Sequence, residues 1–193
     1  MADAALADPG DRLSDDCLQQ LFGNAQPVAI EVGPGRGEFL RTAARQRPQW
    51  NFFAIEISST RTAHIARAIE ADGLTNARVV WADATCLLPA LPAGAAVAVY
   101  VQFPDPWWKR RHFKRRIWTP ALATAIAHVL APGAEVEFLT DVEETFQLGV
   151  RLLDAVPELA PVARGELDRH DTDFARKALR RGGRLYRAAY TRR

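Results

Sequence analysis

The chain reads as an α/β protein built on a doubly wound, mostly parallel sheet, with an antiparallel strand added at its C-terminal edge. Three observations carry this prediction. Strand-like and helix-like segments alternate five times between residues 28 and 155. The strand candidates are continuously apolar rather than alternating, the pattern of strands covered on both faces. Glu31, Glu56 and Asp83 fall at or just beyond the ends of successive strand candidates, at the carboxyl edge where such sheets bind ligands.

Each element has its own signal. Residues 1–16 are polar, acidic and Ala-rich, and the segment 1–25 is expected to be loose, with a single domain over 26–193. Val28–Val32 is a short β-rich run ending in a Gly-rich turn. From Arg36 to Arg47, the residues Phe39, Leu40, Ala43 and Ala44 recur at helical spacing, and Pro48 stops the helix. Phe52–Ile57 is a second strand. Ser59–Asp72 is a helix closed by Gly73 in the usual left-handed stop. Ala77–Trp81 and Ala95–Phe103 are the third and fourth strands. Thr119-Pro120 pairs a cap with proline at the first helical position, opening a helix to Leu130. Ala134–Thr140 is a fifth strand, and a helix runs on to about Ala155. Thr140 and Glu143 have the spacing of a capping box for that helix. After Pro157 the rhythm breaks, and a basic, Gly-containing turn followed by Leu185–Tyr190 predicts an antiparallel edge hairpin.

Composition excludes several classes. The 193 residues suit one domain, and nearly half are apolar. Cys17 and Cys86 are far apart, with no Cys or His at ligand spacing, so neither a disulfide framework nor a zinc site is expected. No signal pattern and no membrane-length apolar run is present, which points to the cytoplasm and to no membrane partner. The formal charge is only +2, but its distribution is uneven. Six Lys or Arg lie within 109–116 and eight within 176–193, against five Asp and one Arg in the first sixteen residues. Such segregation can steer a polyanion even when the total is near neutral.

Two stretches carry chemistry. In Glu31-Val32-Gly33-Pro34-Gly35-Arg36-Gly37 the glycines permit a sharp turn and close approach of backbone to a ligand. A dinucleotide fingerprint would need a third glycine where Glu38 stands. The acid Glu31 would repel a diphosphate but suits S-adenosylmethionine, cationic at sulfonium and ammonium. Glu56 is placed to accept from both ribose hydroxyls, and Asp83 to accept from the adenine amino group. The second stretch is Phe103-Pro104-Asp105-Pro106-Trp107-Trp108, which runs into the basic segment 109–116. An acid stiffened by prolines on both sides thus adjoins cations able to hold a phosphate backbone. Trp107 or Trp108 could stack on a base or pack in the core.

These motifs, in this order, resemble those of the bacterial tRNA (guanine-N7)-methyltransferases. The similarity rests on residues 31–37, Ala54-Ile55-Glu56, Asp83-Ala84, residues 103–107, Lys109, the run Arg111, His112, Lys114, Arg115, Arg116, and Thr140-Asp141. It implies a sheet of class I methyltransferase type, S-adenosylmethionine as cofactor and tRNA as partner. Glu31, Glu56, Asp83 and Asp105 match the family's cofactor contacts, beside the glycines 33, 35 and 37. Asp105 matches the position treated as catalytic. Lys109 and Asp141 match substrate positions, and 111–116 an RNA-contacting segment. The family's Thr-x-Phe-Glu signature reads Thr172-Asp173-Phe174-Ala175 here, so Thr172 is carried over while its glutamate partner is replaced. No metal is implied, and monomer and homodimer both remain open. Three other readings share parts of this pattern. A methyltransferase for small molecules or proteins would not need the basic segments. An oxidoreductase would need a hydride-site His or Tyr. A non-catalytic RNA binder would not need Asp105.

Overall fold

A computed structural model describes residues 12–106, 116–163 and 183–193. Its elements run α1 (Cys17–Phe22), β1 (Val28–Val32), α2 (Glu38–Gln46), β2 (Asn51–Glu56), α3 (Ser59–Ala71), β3 (Ala77–Trp81), α4 (Ala84–Ala90), β4 (Ala96–Gln102), α5 (Pro120–Val129), β5 (Leu130–Thr140), α6 (Glu143–Asp154), β6 (Leu159–Pro161) and β7 (Tyr186–Arg192). The seven strands form one sheet in the order β3-β2-β1-β4-β5-β7-β6. Strands β1 to β5 pair in parallel, and β7 runs antiparallel to both β5 and β6. The fold class matches the prediction. The antiparallel addition has β6 at the edge and β7 inside it.

Strand alternation sends two sets of side chains to the two faces. Ile30, Val32, Phe53, Ile55, Val99 and Val101 join one core with α1, α4, α5 and α6. Ala29, Phe52, Ala54, Ala77 and Ala98 face the other way, against Leu40, Ala43 and Ala44 of α2 and Ile65 and Ile69 of α3. Small strand residues let α2 and α3 lie close to the sheet. By the same alternation, Glu31, Glu56 and Gln102 share the α2/α3 face.

Caps explain several boundaries. The Ser58 side chain accepts from the Arg61 N–H and starts α3, and Thr119 accepts from the Leu122 N–H ahead of Pro120. The capping-box reading of Thr140 and Glu143 does not hold. Thr140 is a buried β5 residue whose Oγ1 accepts from the Val142 N–H at 3.2 Å, and α6 begins behind Val142 with no side-chain cap. The segment 1–25, expected to be loose, contains α1 among its described residues. There α1 buries Leu18 and Phe22, one helical turn apart, in the core. Strand β5 also starts earlier than predicted. Its register with β4 shifts between Ala96 and Ala98, where Pro132 and Gly133 (φ 78°) bulge out before pairing resumes.

Helix α6 crosses β5 at Gly149. A Cβ there would lie 2.5 Å from Cε1 of Phe138 and 2.9 Å from Cε2 of Trp118. Both rings are buried, in edge contact with centroids 4.7 Å apart. Gly149→Ala is therefore expected to destabilise the fold by about 1–3 kcal/mol, despite the gain in helix propensity. Urea unfolding measures this. Unchanged stability would mean that α6 can lift off the sheet at no cost.

Candidate active site

The carboxyl ends of β1 to β4 open into a cavity of about 640 Å³. That volume lies in the usual range for a small-molecule site. Gly33 and Gly35 line it in left-handed conformations, with φ 72° and 59°. The Gly33 N–H donates to the Ile55 carbonyl at 2.9 Å, tying the turn to β2. Gly37 is different. It is also left-handed (φ 74°) and precedes α2, but it does not line the cavity. A Cβ there would meet Ile65 Cγ2 at 2.8 Å, so the position serves the packing of α2 against α3.

Glu31 forms the floor of the cavity. It is 3% exposed, and its Oε2 is buried without a hydrogen-bond partner among the described residues. Burial pushes its carboxyl up to about 8. A hydrogen bond from the Leu40 N–H works against the rise, and the Glu56 charge adds to it. Glu56 is buried too, but satisfied on one side: its Oε1 accepts from the Ser58 N–H at 2.8 Å and from Arg61 Nη2 at 2.8 Å. Asp83 lines the next sector and caps α4, its Oδ1 accepting from Thr85 N at 2.8 Å and Thr85 Oγ1 at 2.6 Å. Ile57, 65% exposed, adds an apolar shelf, and its carbonyl accepts from Trp81 Nε1 at 3.0 Å.

The opposite wall is the turn that leaves β4. Its first residue, Phe103, is left-handed with φ 48°, a strained conformation for a bulky side chain. The Phe103 N–H donates to the Leu139 carbonyl at 2.8 Å, so the strain sits on an anchored strand end. Asp105 follows, exposed between Pro104 and Pro106 on the cavity wall. Arg116 also lines the cavity, and its Nε donates to the Pro106 carbonyl at 3.2 Å. Asp141 is exposed just past β5 and does not line the cavity.

The structure thus brings Glu31, Gly33, Gly35, Glu56, Asp83, Asp105 and Arg116 to one cavity, with Gly37 behind it and Asp141 outside it. Lys109, Arg111, His112, Lys114, Arg115 and Thr172, with Trp107 and Trp108, lie outside the described residues. Sequence reasoning missed Arg61, Phe103 and Gln102 as lining residues. Phe103 and Gln102 had a usable signal, their places at the head of the Phe-Pro-Asp-Pro turn and immediately before it, and Arg61 had none. Among the described residues no group of three or more His, Cys, Asp or Glu is arranged to hold a metal ion. No helix among them is long and apolar enough to cross a membrane.

A family model described as a putative methyltransferase matches residues 25–188. The solved structure of the 16S rRNA methyltransferase KamB superposes with a TM-score of 0.65 at 20% identity, covering 94% of this chain and 95% of that one. With that family match, the sheet order and the acid-lined cavity at the strand ends are those of a class I methyltransferase. The tRNA (guanine-N(7)-)-methyltransferase of Rhodopirellula baltica is 36% identical, over 99% of this chain and 75% of the relative. That of Acidithiobacillus ferrooxidans is 34% identical, over 88% of this chain and 75% of the relative. The chain belongs to the tRNA (guanine-N(7)-)-methyltransferase family.

Proposed function

We propose that the chain transfers the methyl group of S-adenosylmethionine to N7 of a guanine in tRNA, and that it does so in the cytoplasm. One observation carries the reading. A buried carboxylate with an unpaired oxygen, Glu31, forms the floor of a cavity whose far wall is the Asp105 turn, and that turn runs directly into the cations of 109–116. An orphaned buried acceptor is costly unless a ligand supplies a donor. The ammonium of S-adenosylmethionine is such a donor and favours the ionised form of Glu31, whereas the phosphates of a dinucleotide offer that oxygen neither a donor nor a positive charge. Glu56 keeps Oε2 for ribose hydroxyls while Arg61 holds Oε1, and Asp83 keeps Oδ2 for the adenine amine while capping α4 with Oδ1. Ile57 offers apolar contact to the base.

S-adenosylmethionine supplies an electrophilic methyl group on a sulfonium. Guanine N7 carries a lone pair and no proton, so attack requires no general base. The protein's task is to hold nucleophile and methyl in line near contact distance. The methylated ring is cationic, and Asp105 stabilises that developing charge or accepts a hydrogen bond from the guanine edge. The prolines and the Arg116 bond to the Pro106 carbonyl limit its freedom. Lys109 to Arg116, with Asp141 and Thr172, are assigned to the RNA. Phosphate contacts there give affinity with little sequence choice.

The deciding experiment uses methyl-labelled S-adenosylmethionine and unmodified tRNA. Label is expected on guanine N7, making the RNA chain cleavable at one nucleotide. Label on another atom, or no transfer, rejects the reading. The RNA assignment has its own check. Lys114→Ala with Arg115→Ala is expected to weaken tRNA binding and to lower the slope of log affinity against log salt by about 0.7–0.9 per lost phosphate contact. An unchanged slope means that the segment does not touch phosphate.

A further inference from the structure

Gln102 is the last residue of β4 and stands immediately before the strained Phe103. It is 9% exposed and lines the cavity. Its Nε2 donates to Glu137 Oε1 of β5 at 3.4 Å. The other oxygen of Glu137 accepts from both Nε and Nη2 of Arg187, which belongs to β7. A carboxylate paired with a guanidinium only accepts hydrogen bonds, so Glu137 must face the NH₂ end of the Gln102 amide. The opposite flip would set oxygen against oxygen. The relay Arg187–Glu137–Gln102 therefore fixes the amide and leaves its carbonyl oxygen, which takes no hydrogen bond among the described residues, for the cavity.

The register places that carbonyl near a second acceptor. Glu31 of β1 pairs with Tyr100 of β4, so Gln102 is its diagonal neighbour on the same face of the sheet. Glu31 Oε2 is itself buried and unpartnered. The Glu31 carboxyl and the Gln102 carbonyl oxygen are thus carried by neighbouring strands, on one face of the sheet, by residues that line one cavity. We infer that Gln102 and Glu31 form a cradle for a primary ammonium, the amino-acid end of the methyl donor, with Glu137 and Arg187 as the positioning residues that set the Gln102 amide. This rests on the donor assignment above and adds a ligand-binding residue to it. It also gives β7 a part in a cofactor site otherwise built from the parallel strands.

Binding alone tests the inference, with two ligands. S-adenosylhomocysteine carries the ammonium, and 5′-methylthioadenosine has the same nucleoside without the amino-acid end. Gln102→Met keeps the length of the side chain but removes the acceptor. It is expected to weaken S-adenosylhomocysteine about tenfold or more, as for a lost hydrogen bond to a charged group, and to leave methylthioadenosine within twofold. Arg187→Met is expected to weaken S-adenosylhomocysteine selectively in the same sense, by a smaller factor, since it loosens the amide without deleting it. Equal losses for both ligands would assign Gln102 to general packing and overturn the cradle. Unchanged affinity for S-adenosylhomocysteine in Gln102→Met would do the same. If the unaltered protein binds neither ligand, the donor assignment itself fails, a result distinct from both.

Discussion

Asp105→Ala is expected to lower the single-turnover rate of methyl transfer by about a hundredfold or more, the usual scale for removing a preorganised electrostatic group. Affinity for tRNA should stay close to that of the unaltered protein, since the proposed phosphate contacts are assigned to other residues. The fold should also survive. Asp105 is exposed, and the turn is held by its prolines, by the Phe103 N–H bond to Leu139 and by the Arg116 bond to Pro106. Single-turnover kinetics with saturating donor, alongside a thermal melt, separates the two effects. A variant that melts normally and still turns over at the original rate removes Asp105 from the chemistry. Asp105→Asn is the more informative partner. It retains a hydrogen-bond acceptor and loses the charge, so partial activity favours acceptance from the guanine edge. Full loss favours stabilisation of the cationic ring.

The second large effect belongs to Glu31 and is read through pH. Its carboxyl moves from an ordinary value of 4.5 up to about 8 in the fold, because burial penalises the charged form. A carboxyl whose folded pKa exceeds its unfolded one stabilises the fold when protonated. That stabilisation is complete below about 4.5 and is lost as pH rises toward 8. At about 1.4 kcal/mol per unit, the ligand-free protein should lose on the order of a few kcal/mol across this window. Glu31→Gln, isosteric and uncharged, should flatten that slope. Urea midpoints at several pH values for both proteins measure it, and parallel curves would refute the shift. A bound ammonium inverts the preference and favours the carboxylate. Near pH 7, binding of S-adenosylhomocysteine should then release close to one proton, seen by calorimetry in buffers of different ionisation heat. In Glu31→Gln this release should vanish.

Much of this site could be read from the chain because it is local. Glu31, Glu56 and Asp83 each follow a short apolar run, and period and composition place the ends of such runs at one edge of a parallel sheet. The Asp105 turn announced itself by its prolines. What stayed hidden depends on register or on size. Gln102 reaches Glu137 and Arg187 across two strand pairings, separated by 35 and 50 residues along the chain, and no window of sequence contains that relay. Arg61 joins Glu56 because α3 folds back over the strand end, which period alone does not show. Helices α1 and α4, of six and seven residues, are too short to display a period, and Pro89 lies inside the second. The capping box misled because the same Thr-x-x-Glu spacing occurs where a buried strand runs directly into a helix. There the threonine hydroxyl is taken by the nearer Val142 N–H.

The bond between Arg116 and the Pro106 carbonyl has a consequence for how such an enzyme can vary. It joins residues 106 and 116, ten apart in the chain, beside Asp105. Doubling the length of a stretch closed in this way costs only about 0.6 kcal/mol of closure entropy. Insertions and charge swaps between residues 106 and 116 can therefore accumulate at little cost while the cavity stays as it is. With that segment assigned to the RNA as proposed, substrate repertoire and methyl chemistry become separately evolvable traits.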